Sequence, residues 1–84
     1  MSLPRSINVR FFAILREQAG CSSLNLETTA PDPAALYAEL QGRLPALTFP
    51  VKLLRVSVND RYVDMATPLN ATDRVVFIPP VAGG

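Results

Sequence analysis

Between Asp32 and Pro45 a leucine falls at every fourth position, Leu36, Leu40 and Leu44, with Tyr37 next to the first of them. Spacing of this kind draws an apolar stripe along one side of a helix, and such a stripe has to be laid against another apolar surface. A chain of 84 residues has room for one small domain, so the cover must come from the segments on either side. Those segments alternate apolar and polar residues at period two, the mark of strands with one buried face. One main helix packed on one face of a sheet follows, which places the chain in the α+β class.

The segment from Ser6 to Phe12 predicts a first strand with Ile7, Val9 and Phe11 on its buried side. Ala13 to Ala19 reads as a short helix of good helix formers. Gly20 closes it, being the residue that most easily takes the left-handed conformation at a helix C-terminus. Alternation from Ser22 to Glu27 predicts a second strand, antiparallel to the first. Asp32 before Pro33 starts the main helix, since the carboxylate can accept from an orphan amide and proline at the first helical position forfeits no hydrogen bond. Pro45 stops that helix after Leu44.

Ala46 to Lys52, which contains Pro50, reads as a loop with Leu47 and Phe49 turned inward. Arg55 to Asn59 alternates again, Asn59-Asp60-Arg61 suits a tight turn, and Tyr62 to Met65 is the return strand of a hairpin. Pro68 to Asp73 is rich in turn residues, and Arg74 to Ile78 is nearly all apolar, as a central strand should be. Pairing should cease at Pro79 and Pro80, which have no amide proton to donate. The predicted sheet has four to five strands, and this order of elements fits a β-grasp and equally other α+β rolls.

Composition narrows the function classes. With 49% hydrophobic and 18% charged residues and a net charge of +1, the chain is globular in character and nearly neutral, which argues against nucleic acid as a partner. No stretch is long and apolar enough to span a bilayer, and the first residues do not lead into the apolar segment of a signal peptide, so a cytoplasmic protein without a membrane partner is expected. There is no histidine, one cysteine (Cys21), and no clustering of carboxylates at metal-ligand or acid/base spacing. A nucleophilic thiol needs a neighbouring base, so Cys21 reads as a loop residue. The chain is expected to bind no metal and no cofactor of its own, and it has no phosphate-cradling glycine motif for ATP.

Period two also assigns the face that the helix leaves bare. If Val9, Phe11, Val75 and Phe77 point to the helix, then Phe12, Val76 and Ile78 point away, with Arg10 and Arg74 among or beside them. The same parity sends Val56, Val58 and Val63 inward and Tyr62 outward. Phe12, Tyr62, Val76 and Ile78 therefore predict an exposed apolar patch, and a patch of this kind on a small protein favours an interface over scattered surface hydrophobes. Arg10 and Arg74, each taken singly, read as solvated charges.

The sequence closes on Pro79-Pro80-Val81-Ala82-Gly83-Gly84. Two stiff residues lead into two small apolar ones and then into two without side chains, and at roughly 3.3 Å per residue the six extend about 20 Å, enough to enter a channel in another protein. Diglycine passes a narrow channel and leaves the terminal carboxylate unshielded. Residues 1–78 are expected to form the domain and residues 79–84 a flexible tail with Gly84, preceded by Gly83, as the reactive end.

Val9-Arg10-Phe11-Phe12-Ala13 running into Leu15-Arg16-Glu17 and Gly20, the helix after Asp32-Pro33, Val58-Asn59 before Tyr62-Val63, Leu69 and Asp73, and the Pro79 to Gly84 ending together resemble the small, sulfur-carrying subunits of molybdopterin synthase. The resemblance covers nearly the whole chain, and its most specific part is the Pro-Pro-Val-x-Gly-Gly ending. It selects the ubiquitin-like β-grasp from the possible rolls. It implies that Gly84 is adenylated by a ubiquitin-activating-like enzyme that binds the ATP, and that a sulfur donor protein converts it to a thiocarboxylate. Sulfur would then pass to cyclic pyranopterin monophosphate within a heterotetrameric synthase whose large subunit supplies the catalytic residues. Phe12, Tyr62, Val76, Ile78, Pro79, Pro80, Val81 and Ala82 would face the large subunit. A thiamine-pathway sulfur carrier, a ubiquitin-like modifier joined to lysines, and a binding module with an inert tail are the alternatives that the same residues leave open.

Overall fold

The computed structural model describes residues 3–80. The first strand, β1 (Arg5–Phe11), buries Ile7, Val9 and Phe11 on one side, as the alternation requires. The chain then turns sharply at Ala13 (φ 53°, ψ −127°), where the amide of Leu15 donates to the carbonyl of Phe12 at 3.0 Å. A positive φ on alanine gives no sequence signal, because glycine is the residue that usually marks it. Helix α1 (Ile14–Ala19) follows and ends on Gly20, which is left-handed (φ 78°) and donates its amide to the carbonyl of Arg16.

Strand β2 (Ser23–Thr28) runs antiparallel to β1, setting Leu26 against Ile7 and Leu24 against Val9. Helix α2 (Pro33–Arg43) begins where Asp32 Oδ1 accepts from the amide of Ala35 at 2.9 Å. A cap of this type stabilises a helix by about 1 kcal/mol. Leu36, Tyr37 and Leu40 are fully buried; Leu44 has moved off the helix to its cap position and is only half-buried. The connection after α2 is not a plain loop, since Val51–Leu53 form a single 3-10 turn. Leu47 is buried there and Phe49 half-buried, with Gln18 Oε1 accepting from the amides of Thr48 and Phe49.

The hairpin of β3 (Arg55–Val58) and β4 (Arg61–Val63) closes through Asn59 and Asp60, both at positive φ (52° and 71°), the backbone of a two-residue hairpin turn. The return strand stops at Val63 rather than reaching Met65. Strand β5 (Arg74–Ile78) lies parallel to β1 and antiparallel to β3, giving the sheet order β2-β1-β5-β3-β4. This is a mixed five-stranded β-grasp sheet with α2 across one face. Asp73, buried just before β5, accepts from Asn59 Nδ2 at 2.9 Å and from the amide of Asn70 at 2.7 Å, which clamps the hairpin turn to the start of the central strand.

Tyr37 joins the layers: its ring lies 5.0 Å from that of Phe77, tilted by 59°, and its hydroxyl donates to the carbonyl of Phe49 at 2.8 Å. Tyr37→Phe is expected to lower stability by about 0.5–1.5 kcal/mol through loss of that bond. Burial raises the Tyr37 phenol above its ordinary value of 10.0, so the folded state holds this proton more tightly than the unfolded chain does. The resulting stability is complete below the unfolded value and is lost as pH rises through the folded one. Melting curves should therefore fall more steeply with pH above this ordinary value for the wild type than for Tyr37→Phe, and parallel curves would assign the alkaline loss to other groups.

Candidate partner-binding face

The side of the sheet away from α2 is set by the register. Arg10 of β1 stands beside Val76 of β5, Val76 beside Ser57 of β3, and Ser57 beside Tyr62 of β4, one row running across four strands. Phe12 follows two residues after Arg10, and Ile78 two after Val76. Together with Asp60 and Arg74 these residues line a shallow groove of about 300 Å³.

The structure brings four of the predicted residues to this one place but does not expose them alike. Phe12 is 50% exposed and Tyr62 71%, so both stand proud of the sheet. Val76 was expected in the open and is instead only 8% exposed, with Ile78 half-buried above it. The reason is position: β5 is flanked by β1 and β3 at the usual strand spacing of about 4.8 Å, so the side chains of Arg10 and Ser57 cover Val76 from both sides. Val76 is the floor of the groove rather than part of its rim. Ser57, buried in the same row, carried no signal beyond parity.

Charge on the face is partly cancelled. Arg74 forms an ion pair with Asp60, and its amide donates to Asn59 Oδ1 at 2.9 Å. Arg10 is exposed and makes no hydrogen bond or ion pair with any described residue. Beyond Ile78 the chain passes through Pro79, which is buried, to Pro80, which is exposed. Val81, Ala82, Gly83 and Gly84 lie outside the described residues. The strand that floors the groove is thus the strand that leads into the C-terminal segment.

The described residues offer little else for chemistry. None of them groups three His, Cys, Asp or Glu side chains as a metal would need. Cys21 is half-buried and packs against the core. A second open hollow of about 460 Å³ lies along the outer edge of β4, between Leu54 and Met65, and shares only Tyr62 with the predicted residues. No described helix is long and apolar enough to cross a membrane. Two projecting aromatics over an apolar floor have the make-up of a surface that can bind a partner.

Comparison with known proteins shows the family to which the chain belongs. The ThiS family model matches residues 9–84. The molybdopterin synthase sulfur carrier subunit of Escherichia coli is 34% identical over 80 residues, covering 93% of this chain and 99% of that protein. Among solved structures, the complex of subunits 1 and 2 of the molybdopterin-converting factor from Helicobacter pylori aligns at 31% identity and a TM-score of 0.63, covering 94% and 99% of the two chains. SAMP1 from Haloferax volcanii aligns at 25% identity and a TM-score of 0.81, with 94% and 99% covered.

Proposed function

Because the chain belongs to the ThiS family, we propose that it is a sulfur carrier, the small subunit of a molybdopterin synthase. The observation that carries this reading is continuity: β5 floors the exposed aromatic face and leads, through Pro79 and Pro80, to Gly83-Gly84 in a chain whose relatives are named as sulfur carriers. The face holds the large subunit, with Phe12, Tyr62 and Ile78 as the contacts and Val76 beneath them. Pro79 and Pro80 aim the segment Val81, Ala82, Gly83 and Gly84 into that subunit's active site.

The reactive group is the Gly84 carboxylate. At neutral pH a carboxylate is a poor electrophile, so one of its oxygens first attacks the α-phosphorus of ATP held by a ubiquitin-activating-like enzyme, and pyrophosphate leaves. The persulfide of a donor protein then adds through its outer sulfur to the acyl carbon and AMP departs. A thiol attacks the donor-side sulfur of the resulting acyl disulfide, so that the S–S bond breaks, the donor is left as a disulfide and Gly84 carries the thiocarboxylate. The carrier supplies no acid, base or metal to these steps; it presents the acyl carbon, and the large subunit directs the sulfur to cyclic pyranopterin monophosphate. On this account the chain has no turnover alone.

Intact-mass measurement after incubation with the activating enzyme, ATP and a sulfur donor tests the reading. The expected product gains the mass of one sulfur-for-oxygen exchange at the C-terminus and co-purifies with the large subunit. The likeness to SAMP1 favours a second reading, a modifier; chains joined through Gly84 to lysines of other proteins, with no thiocarboxylate, would establish it instead.

A further inference from the structure

Among the charged residues that line the groove, Arg74 and Asp60 satisfy one another and Arg10 is left over. The groove's acid, Asp60, is taken by Arg74, and the strand positions next to Arg10 carry no charge: Ser23 is its cross-strand neighbour on β2, Val76 its neighbour on β5, and Asn8, two residues back, donates to Asn25. While the face is in water this is harmless. A guanidinium cannot shed its proton on burial as lysine or histidine can. If an apolar surface covers Phe12 and Ile78, Arg10, which lines the same groove beside Val76, is stripped of water and stays charged, which is strongly unfavourable unless an anion replaces the water.

Resting on the sulfur-carrier reading above, we infer that the large subunit sets a carboxylate against Arg10, and that this pair, more than the apolar contacts, determines which large subunit is accepted. Carboxylate is the group that matches a guanidinium with two parallel hydrogen bonds. A complementary charge within the contact also rejects wrong partners, since one lacking the anion leaves Arg10 buried and unpaired.

Titration of the full-length chain with the large subunit at low and high salt tests this. Arg10→Met is expected to raise Kd by about 30-fold or more and to flatten the salt dependence, Arg10→Glu to raise it further, and Arg10→Lys to recover part of the loss. Arg55 lies on the same face, opposite Ile78, but outside the groove; Arg55→Met should change Kd by no more than about fivefold. Wild-type affinity and salt dependence in Arg10→Met, or an equal loss in Arg55→Met, would overturn the inference. Failure of the unaltered chain to bind the large subunit would overturn the functional reading itself. Because Arg10 is exposed, the variants should melt with the wild type, and Arg10→Gln repeats the neutralising test should Arg10→Met not fold.

Discussion

Without Gly84 the chain folds and melts as before but accepts no sulfur. Truncation leaves a carboxylate on Gly83, chemically the same group, set back by one residue, about 3.3–3.6 Å. Reaction at a carbonyl or phosphoryl centre tolerates far less: a displacement of about 1 Å can cost about 10²-fold in rate. Loading should therefore fall by at least about 10²-fold, and transfer within the synthase, which needs the same reach a second time, by at least as much again. Adding one residue after Gly84 should be equally damaging, because it moves the carboxylate forward and brings a side chain to a place suited to none. Every core residue among the described residues, from Ile7 to Phe77, precedes this segment, so the melting temperature should be unchanged. Single-turnover loading followed by intact mass separates the outcomes, and a truncated chain that still gains sulfur would remove the terminal carboxylate from the mechanism.

Local chemistry makes much of the scaffold legible in the sequence. Asp32-Pro33 marked the start of α2 because a cap and a proline act within one turn, and Gly20 marked the end of α1 for the same reason. The burial of Ile7, Val9 and Phe11 could be read because a strand's two faces are decided by its own alternation. What depends on neighbours could not be read in this way. Val76 and Ile78 share a face and a chemistry, yet one is buried and the other half-buried, because Val76 has β1 and β3 on either side. That arrangement is a consequence of the parallel pairing of β1 with β5, whose partners (Arg10 and Val76 among them) are 66 positions apart, and no window of sequence contains it. Ala13 was hidden for a different reason: its positive φ is imposed by the turn from β1 into α1 on a residue type that does not prefer it. Leu44 shows the limit of the helical repeat, since Pro45 ends α2 before the stripe's last leucine is carried onto the sheet.

Phe12→Arg should weaken binding to the large subunit by about 10²-fold with little effect on folding. Half of the Phe12 surface is already in water, and substitutions at such positions usually alter stability by less than about 0.5 kcal/mol. The loss in binding has two sources that act in the same direction. An aromatic anchor disappears, and central aromatic contacts are commonly worth about 2 kcal/mol or more, which is more than tenfold in Kd. The new guanidinium also arrives two residues from Arg10, on a face where Arg74 already occupies the acid among the described groove residues, so a second positive charge with no anion of its own would be buried beside Arg10. Ile78→Arg should weaken binding comparably but also lower the melting temperature, because Ile78 is half-buried at the end of the central strand. Tyr62→Ala separates the two contributions: it deletes an aromatic that is 71% exposed without adding charge, and should cost affinity while leaving its salt dependence intact. If Phe12→Arg and Tyr62→Ala both bound with wild-type affinity, the partner would have to sit on the helix side of the sheet, and the segment beyond Pro80 would have to reach the active site from there.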